Sequence, residues 1–216
     1  MKHLFTFIAI FILFQVSLLG QSTRMVLIEE GTNASCPPCA SQNPAFDALL
    51  NQNRDVLTAI KYHWYFPGYD PMHNHNVEEN NARVAYYGIS GVPTATIDGD
   101  IPNGPGFSYP GGPHGFTQAL IDQYAAIPSP FEINMSHTIS PGEDTIYIDM
   151  MIECTEAVSG DLVAHMAVVE KEINFSSPPG SNGETHFLDV MKKMVPDQYG
   201  TDLPGSFAPV DYMILQ

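Results

Sequence analysis

Positive charge is scarce in this chain. Eight Lys and Arg stand against 24 Asp and Glu, a formal net charge of −16. A nucleic-acid-binding protein needs a basic footprint, so that class is excluded. Binding to an anionic membrane surface is disfavoured for the same reason. Cysteine is scarce too. Three residues, Cys36, Cys39 and Cys154, are too few for a disulfide scaffold, and the number is odd. Charged residues make up only 15 % of the chain and hydrophobic residues 44 %. That balance excludes a disordered, collagen-like or coiled-coil chain and leaves a globular one. The 216 residues allow one large domain or two small ones.

The one long apolar run lies at the start. Lys2 and His3 precede Leu4 to Leu19, and small residues follow at Ser17 and Gly20. A charged, then apolar, then small-residue order is that of a secretory signal peptide, with cleavage expected after Gly20. The run is short of the roughly 20 residues a spanning helix needs, so a membrane anchor is the weaker reading. No Cys stands directly after the cleavage point, which argues against a lipid anchor. After cleavage no integral membrane segment is expected. The protein is therefore read as exported, to the periplasm or the outer-membrane and cell-surface region. There disulfides persist.

Along the mature chain, Met25 to Glu30 reads as a strand and Gly31 to Ser35 as a turn. Cys36-Pro37-Pro38-Cys39 follows, and Ala40 to Asn51 reads as helix, kinked at Pro44. Asp55 to Trp64 is a second strand, Phe66 to Asn76 a polar loop, and Val77 to Tyr87 a helix stopped by Gly88. Thr94 to Ile97 is a short strand. Asp100 to Pro113 holds four Gly and four Pro and reads as an irregular loop. Phe116, Leu120 and Tyr124 share one face of a further helix. After Pro128-Ser129-Pro130 the pattern turns to strands, at 131–139, 145–154 and 162–170. The expected fold class is therefore α/β over 21–128, followed by a β-rich, sandwich-like domain over 129–216. That second part reads as incomplete, because the chain stops at Tyr212 to Gln216 in the start of a strand.

Chemistry concentrates at Cys36 and Cys39. Two cysteines two residues apart, entering a helix, suit reversible thiol–disulfide exchange. Unpaired N–H groups and the positive end of the helix favour the thiolate of the first. The second, one turn on, resolves the mixed disulfide. Pro37 and Pro38 stiffen the ring and remove two N–H donors. Three other readings compete. As a structural staple, a four-residue loop gains only roughly 2 kcal/mol. As half a zinc site, the pair lacks a second CxxC or an HxxxH. The third is a redox-silent domain that merely retains the fold.

The flanks carry a resemblance. A strand leads into CxxC, Pro44 falls five residues after Cys39, and Tyr87-Gly88-Ile89-Ser90-Gly91-Val92-Pro93-Thr94 is similar to a cis-proline segment. Together these resemble the thioredoxin superfamily. The resemblance implies that Pro93 is cis and faces the Cys pair. Val92 would then offer backbone groups to a substrate, with Pro37 and Pro38 beside them. It implies that Glu30, six residues before Cys36, is a buried acid that moves the proton of Cys39. Equally, a one-residue shift would turn Glu29 inward instead. Two departures stand out: Ser35 replaces the usual Trp, and 53 residues separate Cys39 from Pro93, which implies an insertion near 66–76. The whole arrangement, with IEE-GTNASCPPC, YYGISGVPT and Leu162 to Gly200, resembles the Omp28-related proteins of the Bacteroidetes envelope.

Two further patterns carry less. Met72, His73 and His75, with His63, could offer soft copper ligands, but loop histidines are more often solvated. Asp98-Gly99-Asp100 lacks the ligand series of a calcium loop and reads as a turn. Cys154 reads as a buried inert thiol. The resulting expectation is a thiol–disulfide oxidoreductase with Cys36, Cys39 and Glu30 catalytic. It needs no dissociable cofactor and no metal. Its partners would be cysteine-containing envelope proteins, with a membrane electron donor if it reduces. The alternative is a non-catalytic binding module on the same scaffold.

Overall fold

A computed structural model describes residues 22–216. The signal-peptide reading of 1–20 lies outside them. The strands are β1 (Val26–Thr32), β2 (Leu57–His63), β3 (Thr94–Ile97), β4 (Phe131–Ile139), β5 (Ile146–Cys154), β6 (Val158–Ser159), β7 (Val163–Ala164), β8 (Met166–Asn174), β9 (His186–Val195), β10 (Thr201–Asp202), β11 (Ser206–Phe207) and β12 (Tyr212–Leu215). The α-helices are α1 (Pro37–Asn51), α2 (Pro71–His75), α3 (Val77–Tyr86) and α4 (Gln118–Ala125). They form two units, one of Thr23–Pro128 with Ser159–Ser206, the other containing Ser129–Val158 and Phe207–Gln216.

The first unit is built on a five-stranded sheet in the order β3-β1-β2-β9-β8. β1 and β2 run parallel, with Val26 opposite Leu57 and Thr32 opposite His63. Parallel neighbours need a crossover, which α1 supplies. β3 returns antiparallel on the other edge of β1. Both faces of the sheet are covered, so the strands alternate between two cores rather than between core and water. Val26, Ile28, Leu57 and Ala59 meet Phe46 and Leu50 of α1 on one face. Tyr62 meets Val84, Ile89 and Met191 on the other. Full burial of a side chain such as Phe46 stabilises by about 1.5–3 kcal/mol.

The ends of the helices follow from their caps. α1 starts at Pro37, not at Ala40 as the sequence suggests, because both prolines fit the first turn, where no intrahelical partner awaits an N–H. The 66–76 segment is not all loop. Asp70 caps α2 by accepting from Met72 N and His73 N. Asn76 and Thr117 cap α3 and α4 in the same way.

The sequence reading groups 129–216 as one domain, but the structure divides that span. β8 and β9 form an antiparallel hairpin, and β9 pairs parallel with β2 at Lys61 and Val190. The hairpin covers an edge of β2 that would otherwise present unpaired backbone groups. The second unit contains a three-stranded antiparallel sheet, β12-β5-β4. Met135 opposes Met150 and Ile133 opposes Ile152, so one face of this sheet is apolar. Cys154 is buried there, as expected, with its Sγ 2.9 Å from the Glu156 carbonyl oxygen. Among the described residues no helix is long and apolar enough to cross a membrane.

Candidate functional site

The Cys pair sits where β1 hands over to α1. Cys36 is extended and caps the helix, its sulfur accepting from Cys39 N at 3.1 Å. Cys36 and Cys39 are joined as a disulfide, with Cα atoms 5.2 Å apart. Both are buried, Cys36 at 1 % exposure and Cys39 at 0 %. Pro37 and Pro38 between them are exposed. Cys36 Sγ lies 3.4 Å from the Val92 carbonyl oxygen. The Val92–Pro93 bond is cis, as the thioredoxin resemblance implies. Beside it runs a cleft of about 410 Å³ lined by Pro38, residues 88–94, Ile101, Tyr109 and Pro110. The fold therefore brings Cys36, Cys39, Val92, Pro93, Pro37 and Pro38 together.

Glu30 lies on the face of β1 that α1 covers, and it is completely buried. The choice between Glu29 and Glu30 does not arise, because each face of the sheet has its own cover and both are buried. Lys61 Nζ stands 2.9 Å from Glu30 Oε2 and 2.5 Å from Asp47 Oδ1 on α1. Lys61 is the one donor beside this carboxyl, and Oε1 has no hydrogen-bond partner. Burial pushes the Glu30 carboxyl up to about 7, against the pull of Lys61. A carboxyl of that affinity can hold or release a proton near neutral pH.

Glu29 has the opposite surroundings. Its Oε1 accepts from Tyr62 OH at 2.8 Å and Arg83 Nη2 at 2.7 Å, and its Oε2 accepts from Tyr87 OH. Arg83 stacks over Tyr86 and Tyr87, with its guanidinium 4.6 and 5.1 Å from the ring centres. Tyr87 begins the segment that carries Pro93. This cluster ties α3 to β1 and so fixes where the segment starts.

Several residues at the site have roles that the sequence reading missed. Asp70 accepts from Ala34 N at 2.7 Å, two residues before Cys36, and meets His63 Nδ1 at 2.6 Å. Burial raises the Asp70 carboxyl, but His63 and the backbone N–H groups of Ala34 and His73 hold it below its usual value. His73 turns its Nδ1 to the His63 carbonyl, so the two histidines serve the turn before the Cys pair. Ser35, in the place of the usual Trp, donates to the Tyr69 carbonyl and accepts from Ser181 N. Asn182 Nδ2 reaches the carbonyls of Asn33 and Cys36. The Asp70-Pro71-Met72-His73 order is a capping signal that sequence could have supplied. Nothing near Ser181 or Asn182 announces their partners 146 residues away.

No protein-family model matches the sequence, and no curated protein matches it. Solved structures do. HBP35 of Porphyromonas gingivalis matches over 90 % of this chain at 15 % identity, with a TM-score of 0.66. This chain spans 64 % of that protein's length. A crystal structure of a protein from Agrobacterium tumefaciens matches over 91 % of this chain and 80 % of its own, at 15 % identity and a TM-score of 0.50. At such identities the likeness is one of fold: a thioredoxin-like domain accompanied by a β-rich part.

Proposed function

We propose that the protein is an exported thiol–disulfide oxidoreductase acting on cysteine-containing proteins of the cell envelope. The observation that carries this reading is the Cys36–Cys39 disulfide at the N-terminus of α1, its first sulfur against the Val92 carbonyl. In the oxidising direction a substrate thiolate attacks Cys36 Sγ and the Cys36–Cys39 bond breaks. The electron pair goes to Cys39 Sγ, which takes a proton from Glu30. A second substrate thiolate then attacks its own mixed-disulfide sulfur and Cys36 leaves as the thiolate. The substrate loses two electrons and gains a disulfide, and the pair becomes a dithiol. Read backwards, the pair reduces a disulfide, Glu30 accepts the Cys39 proton, and a membrane electron donor restores the dithiol. An extended substrate segment fits the cleft beside Val92 and Pro93.

The signal-peptide pattern of residues 1–20 supports export, and the sequence resemblance supports a place among Omp28-related envelope proteins. A second reading, a non-catalytic binding module on this scaffold, is favoured by one observation: Cys36 is only 1 % exposed. Equilibration in defined glutathione or dithiothreitol buffers separates the two. A reversible couple between roughly −120 and −270 mV supports the oxidoreductase. A value below about −300 mV marks the bond as structural and overturns it. Cys36→Ser then abolishes exchange in an oxidoreductase and leaves the partner affinity of a binding module unchanged.

A further inference from the structure

We propose that Glu184, carried in by the loop between β8 and β9, is a positioning residue that sets the proton affinity of Glu30 and hence the pH range in which Cys39 exchanges its proton. This rests on the oxidoreductase reading for its purpose but not for its test.

The geometry begins on α1. Cys39, Asn43 and Asp47 are four residues apart and descend one face of the helix. Asn43 Nδ2 bridges Thr32 Oγ1 at 3.1 Å and Glu184 Oε1 at 3.4 Å. Thr32 is two residues beyond Glu30, on the same face of β1. Glu184 therefore reaches, through one amide, the surface that carries Glu30. The loop is held there. Asn182 N donates to the Ala34 carbonyl, and Asn182 Nδ2 donates both to Cys36 O and to Glu184 Oε2. Asn182 Oδ1 accepts from Glu184 N at 2.9 Å. At Gly180 an added Cβ would lie 2.1 Å from the Ala34 carbonyl oxygen, so the loop approaches as closely as glycine allows.

Charge gives the arrangement its effect. Glu30 faces Lys61, Asp47 and Glu184, and Tyr109 approaches it from the 100–113 loop. Glu184 faces Asn182, Asn43, Lys61 and His63, the last paired with Asp70. Glu30 and Asp47 thus share the Lys61 ammonium, and Glu184 adds a third carboxyl within its field. A charged Glu184 makes a second charge on Glu30 less favourable and keeps the Glu30 proton in place. Glu184 is half-buried where Glu30 is sealed, so it responds to solvent first and passes that response inward. The charge on Glu184 is thus felt in the titration of Glu30.

The test is the pH dependence of the Cys36–Cys39 reduction potential in wild type, Glu184→Gln and Glu184→Asp. In wild type the curve breaks where Glu30 titrates. Glu184→Gln is expected to move that break to lower pH by about a few tenths of a unit, and Glu184→Asp to restore it in part. Thermal melting shows whether each variant is folded, a property that a merely structural Glu184 would change without moving the break. An unmoved break in folded Glu184→Gln overturns the inference. Should that variant not fold, infrared redox-difference spectra of the wild-type protein with labelled glutamate decide. Two carboxyl bands titrating together support the inference, and a single uncoupled band overturns it. A potential below about −300 mV would overturn the oxidoreductase reading while leaving the break, and this inference, to stand or fall separately.

Discussion

Replacing Glu30 by Gln isolates the cost of a desolvated carboxylate. Glu30 titrates near 4.5 when exposed and near 7 in the fold, because burial outweighs the attraction of Lys61. Between these values the unfolded chain has lost its proton and the folded one keeps it. Each pH unit in that window therefore lowers stability by about 1.4 kcal/mol. Across the window the loss is on the order of 3 kcal/mol, present in full above pH 7 and absent below 4.5. Glutamine cannot ionise, so Glu30→Gln lacks this fall. Lys61 keeps Asp47 as a partner in the variant, which adds a pH-independent offset but no slope. Urea unfolding of both oxidised proteins at several pH values gives the difference directly. The variant should gain on wild type steadily as pH rises from about 4.5 to 7, then hold level. A difference that is flat with pH would refute the reasoning and return Glu30 to the status of an ordinary ion-pair partner.

Asp70 has the opposite sign. Its carboxyl sits below its usual value, so its contribution is complete above about 3.8 and is lost as pH falls; Asp70→Asn should destabilise by about 1–3 kcal/mol at neutral pH and much less in acid, by urea unfolding. Arg83→Ala leaves Glu29 buried beside two tyrosines without its cation, and should cost about 3–5 kcal/mol in the same assay. Gly180→Ala pushes the 176–185 loop off the Ala34 carbonyl; melting should fall by the equivalent of about 1–3 kcal/mol, with faster alkylation of Cys36 in the reduced protein, and unchanged alkylation would show that the loop does not shield the sulfur.

Local signals carried most of the first 128 residues. Met25 to Glu30, the CPPC pair and Thr94 to Ile97 are each bounded by turn residues, and the elements follow those boundaries to within a few positions. β9 was not legible. Asp189 at positive φ and the Lys192-Lys193 pair break the apolar pattern of HFLDVMKKMV, and only pairing with β2 and β8 makes it a strand. The division of 129–216 between two units was hidden for the same reason, since strand pairing across more than a hundred residues leaves no local trace. At the site, residues named by the CxxC and YYGISGVPT segments come together. Asn182 and Glu184 do not announce themselves, because each reaches its partner through a long-range hydrogen bond, whereas Asp70 shows only its local cap.

The scarcity of positive charge explains how two adjacent glutamates come to differ. Each of the seven Lys and Arg among the described residues pairs with a carboxylate. Glu29 and Glu30 project to opposite faces of one strand, and each has a single buried cation. Arg83 is undivided, and two phenols join it, so every oxygen of Glu29 has a donor. Lys61 is divided between Glu30 and Asp47, and no hydroxyl or amide completes the shell of Glu30. A satisfied carboxylate is a fixture, because any change of its charge breaks several bonds at once. A buried carboxyl with half a cation and no neutral donor has less to lose by taking a proton. Of the two, only the second lies on the face that α1 and Cys39 cover.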